Sequence, residues 1–166
     1  RQRGLYGAAW SLAYVAAFAA GGLNAVTLGA ATGPVGMIYR KLGFPQPHFD
    51  GAGGAPVFPV YQVIAGLAAA SGAKLVGARS AAPGKVAALA YRAKAGAVLW
   101  LANLTGEEQK VKVSGFNGKA SLHLIDEASF VGATDAGYLT KGGKALKKVG
   151  AVSLPPYAVA RVAAAG

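Results

Sequence analysis

A chain of 166 residues can form one domain with a sizeable core, or the end of one domain plus a smaller second one. The absence of cysteine excludes disulfides and thiolate metal sites. The net charge is +11, but Lys110, Lys112, Lys141, Lys144, Lys147 and Lys148 are strewn over the second half without the interleaved aromatic residues that nucleic-acid binding requires. The basic excess therefore reads as a solvated face, and no nucleic-acid partner is expected.

The chain opens on Arg1-Gln2-Arg3 without an initiator Met and is read as a section of a longer protein. No charged residue lies between Arg3 and Arg40, so this stretch must be weighed as a membrane span or signal peptide. Alanine and glycine dominate it, which makes insertion weakly favourable, and Gly21-Gly22 interrupts it. Neither is assigned; no membrane partner is expected, and the cytoplasm is favoured over secretion.

Residues 4–20 predict a helix. Leu5, Ala8, Ala9, Leu12, Ala16 and Ala19 keep the 3.6-residue period, while Trp10, Tyr14 and Phe18 form a second stripe. A helix apolar on both sides needs a sheet on one and a neighbouring helix or domain on the other. Gly21 is the expected left-handed cap. Residues 24–28 read as a short buried strand, and residues 29–56 as a long aperiodic loop. A second helix is expected over residues 56–72, its prolines at the start, with Val60, Ile64, Leu67 and Ala68 on the buried face.

From Lys74 the texture changes to short β segments: KLVGARS, KVAALAYRA, AVLWLANL, QKVKVSG, KASLHLID and YAVARVAA. Turn signals at Pro83-Gly84, Lys94-Ala95-Gly96, Thr105-Gly106 and Asn117-Gly118 separate them. Regular spacing without helices reads as an antiparallel β-sandwich. Residues 130–149 are expected to be loop with one edge strand. The fold class is thus α/β plus all-β: the closing helix–strand–helix of a (β/α)8 barrel over residues 1–72, then a sandwich over residues 73–166.

On that reading Gly29-Ala30-Ala31-Thr32-Gly33-Pro34 lies on the rim where barrel active sites open. A phosphate loop is excluded, because the Gly-Lys-Ser/Thr ending and the helix behind it are both missing. His48 and Asp50, the imidazole and the one carboxylate of the first half, stand two apart in PQPHFDGAGG. A carboxylate can orient an imidazole for acid–base work; the alternative is an exposed loop pair. Thr32, Tyr39 and Arg40 complete the candidate substrate-binding set as hydrogen-bond partners for sugar hydroxyls or a carboxylate. Trp100 is expected in the core, His123 exposed on a strand, and Asn103 capping the turn before Gly106. Glycoside chemistry requires two carboxylates flanking one bond, and none precedes Asp50, so no catalytic residue is assigned. No metal site or cofactor is expected.

RQRGLYGAAWSLAYVAAFAAGGLNAVTLGAATGP, FPVYQVIAGLA and LPPYAVARV resemble the last part of the D-apionate lactonase family. VLWLANLTGEEQKVKV is similar to the accessory sandwiches of many glycosidases. The resemblance runs over nearly the whole chain. It implies a glycoside-hydrolase-like TIM barrel followed by a C-terminal β-sandwich, and a parent hydrolase acting on a sugar lactone or glycoside. The implied partners are a small carbohydrate or sugar lactone and the preceding barrel region. One departure stands out: the family's last barrel strand tends to end in polar or aromatic residues including an acid, where this chain has Gly29-Ala30-Ala31-Thr32. That departure favours the alternative, a non-catalytic carbohydrate-binding or interaction module.

Overall fold

The computed structural model describes residues 3–22, 25–33 and 35–165. Helix α1 (Leu5–Ala20) and helix α2 (Pro59–Ala68) precede eight strands: β1 (Lys74–Val76), β2 (Val86–Ala93), β3 (Gly96–Asn103), β4 (Gln109–Lys112), β5 (Ala120–Ile125), β6 (Lys144–Leu146), β7 (Ala151–Leu154) and β8 (Val159–Ala164). Six form one sheet in the order β1-β2-β3-β8-β5-β6, and β4 pairs with β7. Every pairing between these strands is antiparallel, as the sandwich reading requires.

The period-two pattern of the central strands builds two cores on opposite faces of the large sheet. Val98, Trp100 and Ala102 of β3 join Leu89 and Tyr91 of β2 and Val159 of β8 on one face, against Ala8, Ala9 and Leu12 of α1 and Val60 and Val63 of α2. Leu99 and Leu101 of β3 and Ala160 and Val162 of β8 face the other way, against Val152 and Leu154 of β7. The helices, the six-stranded sheet and the β4–β7 pair therefore form three layers, and β3 is covered on both sides. The first core crosses the expected boundary near residue 72, so the helices and the sheet share buried surface.

Contact between α2 and the sheet depends on a missing side chain. A Cβ at Gly66 would lie 2.6 Å from Cζ2 of Trp100, which is fully buried. Trp100 thus takes the core position expected of it. The mid-helix glycine costs up to about 1 kcal/mol of helix propensity, which the close approach of this large ring offsets.

Four local expectations are corrected. Residues 25–28 form no strand, and the Asn24 end of that expectation lies outside the described residues. A barrel strand needs hydrogen-bonding neighbours on both sides, and the sheet in this chain is built from other residues. The left-handed residue after α1 is Gly22 (φ 82°), one later than expected, because Gly21 continues the last turn at φ −84°. His123 is buried, 7% exposed, under the segment that runs from Tyr138 to Gly143. Strand β7 was not anticipated: AVSL is short, and its partner β4 lies some forty residues earlier in the chain. The vague stretch 130–149 holds two 3-10 turns (Gly132–Thr134 and Tyr138–Thr140) and the edge strand β6, close to expectation.

Candidate functional site

The loop of small residues beginning at Gly29 closes on itself. Ala30 and Gly36 form an isolated bridge, and the Met37 and Ile38 N–H groups donate to the Ala30 and Ala31 carbonyls. A Cβ at Gly36 would overlap the Thr32 backbone. The small residues here allow a tight backbone crossing, with Thr32 exposed at its tip.

Downstream, the chain is tied to α2 by the Ile38–Val57 bridge and by Phe58 N–H donating to the Met37 carbonyl at 2.9 Å. This brings Tyr39 beside Asp50. The Tyr39 hydroxyl donates to Asp50 Oδ1, and the Gln46 backbone N–H donates to Oδ2 at 2.5 Å. The Tyr39 bond, the Gln46 N–H and the Lys41 charge hold the Asp50 carboxyl below its ordinary range. The same bond raises the Tyr39 phenol. Gln46, buried at 6% exposure, is the hub of this knot. Its Oε1 accepts from Arg3 Nη1 at 2.6 Å and its Nε2 donates to the Arg40 carbonyl at 3.3 Å. The Arg3 guanidinium lies over the Phe44 and Phe58 rings, 5.5 and 5.7 Å from their centroids.

The five candidate residues are therefore divided. Tyr39 and Asp50 are hydrogen-bonded. Arg40 is exposed beside them, engaged in this knot through its carbonyl, and Thr32 sits on the separate Ala30–Gly36 turn. His48 does not partner Asp50: it takes φ 72°, and its ring meets Phe130 edge-on at 5.6 Å. The segment is a turn rather than extended, so residues two apart diverge. The exposed-loop alternative holds for His48. Neighbouring Phe49 is buried against Tyr39, Phe58 and Phe130.

Two buried polar residues hold the layers together, Gln62, which sequence reasoning passed over, and Asn103, which it placed at a turn. Gln62 of α2, 1% exposed, donates Nε2 to the carbonyls of Ala133 (3.0 Å) and Asp135 (2.7 Å). It thereby pins the helices to the turn between β5 and β6. A glutamine on an apolar helix face was the available signal, because such a group is buried only when its amide is satisfied. Asn103, fully buried, does cap the turn: Oδ1 accepts from the Thr105 N–H, and Nδ2 donates to Leu154 and Pro155 carbonyls. Among the described residues no group of three or more acidic, histidine or cysteine side chains could hold a metal ion. No described helix is long and apolar enough to cross a membrane.

Comparison with known proteins agrees with this arrangement. The family model for the D-apionate lactonase TIM barrel domain matches residues 1–72, and that for the D-apionate lactonase C-terminal immunoglobulin-like domain matches residues 83–162. A D-apionate lactonase of Brucella anthropi is 31% identical over 116 residues, 70% of this chain, and the match spans 17% of that relative's length. Among solved structures, a GH30 endoxylanase from Clostridium papyrosolvens aligns with a TM-score of 0.47 at 15% identity, over 66% of this chain and 28% of its own. A conserved exported protein from Bacteroides fragilis aligns at 0.37 and 16% identity, over 55% of this chain and 18% of its own. With two successive domain models of one family matched in order along its length, the chain belongs to the D-apionate lactonase family.

Proposed function

We propose that this chain serves a hydrolase of sugar-derived lactones, supplying structure and part of the substrate rim rather than the bond-breaking groups. The observation that carries the reading is the ordered match of the family's barrel and immunoglobulin-like domains to residues 1–72 and 83–162. On this reading residues 1–72 are the closing helix–strand–helix section of a (β/α)8 barrel and residues 73–166 its sandwich. The stretch 25–28 becomes a strand only when flanked by barrel neighbours. Thr32, Tyr39, Arg40 and Asp50 face the sugar. Asp50, ionised and oriented by Tyr39 and Gln46, accepts from sugar hydroxyls. Arg40 attracts the carboxylate released when the lactone opens, and Thr32 offers a hydroxyl. Asp50 is the one carboxylate of the first 72 residues, and both its oxygens already accept hydrogen bonds. That supports a binding role for it over general acid–base work.

Exchange of the matched segment tests this. The Brucella anthropi D-apionate lactonase, carrying this chain in place of its own segment, is expected to retain lactone hydrolysis. The 166-residue chain alone is expected to open a sugar lactone no faster than buffer. A folded, soluble chimera without activity overturns the family role; hydrolysis by the chain alone overturns the non-catalytic one.

A further inference from the structure

A surface depression of about 660 Å3 lies where the start of α1 meets the sheet layer. Leu5, Tyr6, His48, Glu127, Phe130 and Tyr157 line it. Its rings stand at steep angles to one another. Tyr6 and Tyr157 meet edge-on at 5.5 Å and 85°, and His48 and Phe130 at 5.6 Å and 71°. His48 and Tyr157 are also the non-glycine residues with left-handed backbone, at φ 72° and 56°, among the described residues. Each such residue costs on the order of 1 kcal/mol. Two loops distant in sequence thus accept that cost and bring a ring to the same depression.

The polar groups at its edge are unspent. Among the described residues the ion pair is Lys141–Asp135, so Glu127 carries an exposed and unneutralised carboxylate. The His48 ring, with one donor and one acceptor nitrogen when neutral, is exposed as well. Aromatic faces with a few convergent acceptors and donors are the composition of a small-molecule site, and the volume falls within the range such sites occupy. Aromatic faces suit the C–H faces of a sugar ring, while a carboxylate and an imidazole suit its vicinal hydroxyls.

We infer that this seam is a second, non-catalytic carbohydrate-binding site for a neutral oligosaccharide. The ring of Tyr6 forms its stacking platform, and Glu127 and His48 bind the hydroxyls. The inference does not rest on lactone hydrolysis. It concerns a surface formed jointly by α1, the loop at His48 and the β5–β6 connection, and it stands or falls whatever the rim does. A quaternary ammonium ligand is the competing chemistry, since an aromatic cage with one carboxylate also attracts a cation.

Calorimetric titration of the 166-residue chain with cellobiose, xylobiose and phenyltrimethylammonium separates these. At least one disaccharide is expected to bind saturably. Tyr6→Ala and Glu127→Gln should each weaken it tenfold or more, while Tyr14→Ala, on another aromatic face, leaves it unchanged. Tyr6 and Glu127 are both exposed, so the variants should keep the wild-type melting transition, which circular dichroism verifies. Three results overturn the inference: no saturable binding of either disaccharide, binding indifferent to Tyr6→Ala and Glu127→Gln, or phenyltrimethylammonium binding in preference to both sugars. Lactone hydrolysis by the chimera carrying Tyr6→Ala should be unaffected, so failure here and failure of the lactone reading are distinguishable.

Discussion

Strand β3 and the segment 25–28 have similar apolar content but different outcomes. Strand β3 finds partners on both edges, β2 and β8, and a covering layer on each face. The segment 25–28 is just as apolar yet pairs with nothing among the described residues and lies largely exposed. Strand formation is a property of the pair rather than of the segment, because an unpaired backbone N–H or C=O stays with water at no cost when exposed. The lesson is that the β unit is specified within this chain, whereas the rim loop is held by a few side-chain knots.

The sharpest way to break that comparison is to remove the helices. The first core joins Ala8, Leu12, Val60 and Val63 to Leu89, Tyr91, Trp100 and Val159. Residues 73–166 alone would expose one whole face of the sheet, an apolar patch of the size that drives association. The truncated chain should lose its cooperative thermal transition or sediment as aggregates. A monomer with a sharp melt would show that the sheet is stable without its helical cover.

Gln62 offers a smaller and more local break. In Gln62→Ala the Ala133 and Asp135 carbonyls lose their donor, and a small cavity opens in the seam between layers. A loss of about 1–3 kcal/mol is expected, the cost of buried polar groups left unpaired, read as a lowered urea midpoint. A change within error would mean that water replaces the amide and that Gln62 does not hold the layers.

How much of this could be read in the sequence differs by region for the same physical reason. Hairpin β2–β3 was legible because its signals are local: two apolar runs and a Gly96 that must adopt φ 124°. Strand β7 and the burial of His123 were not. Alternation tells that His123 opposes Leu122 and Leu124, but only the distant Tyr138–Gly143 segment decides which face is covered. The His123 Nε2 to Lys141 carbonyl contact at 2.7 Å spans 18 residues that carry no period of their own. At the candidate site, Tyr39 and Asp50 were singled out for their chemistry. Their direct hydrogen bond, with the Gln46 N–H on the second carboxylate oxygen, needed the turn at residues 47–51, which PQPHFDG signals only as a loop.

The aromatic stripe of α1 sharpens the comparison from the solvent side. Trp10 and Phe18 are 49% and 43% exposed, and the rings of Trp10, Tyr14 and Phe18 stack on one another along the helix at 5.2 and 4.4 Å. The sheet satisfies only the opposite, Leu12 side, as expected of a helix apolar on both faces. The chain is therefore expected to self-associate at high concentration, and Trp10→Lys with Phe18→Lys should shift sedimentation toward monomer with little change in melting temperature. Sedimentation equal for the two forms would mean that this face does not drive association.

The smallest effect is expected at Asp50, and its pH dependence tells knot from scaffold. The Tyr39 hydroxyl first, then the Gln46 N–H and the Lys41 charge, favour the ionised carboxylate in the folded loop, so its pKa lies below the unfolded value. Its contribution is complete above the ordinary carboxylate range and is lost as the pH falls through the depressed folded value. The raised Tyr39 phenol acts in the opposite sense: its contribution is complete below the ordinary phenol range and disappears as the pH rises through the folded value. The knot is thus closed across neutrality and opens at both extremes. Asp50 is exposed and Tyr39 only partly buried, so solvent screening keeps the effect on global stability small. Global melting should hardly change while the Gln46 amide resonance follows Asp50 at acid pH. In Tyr39→Phe that acid midpoint should move up toward the ordinary carboxylate range. A midpoint unmoved by Tyr39→Phe would mean that the Gln46 N–H orients the carboxylate without the phenol, and that the rim is held by backbone alone.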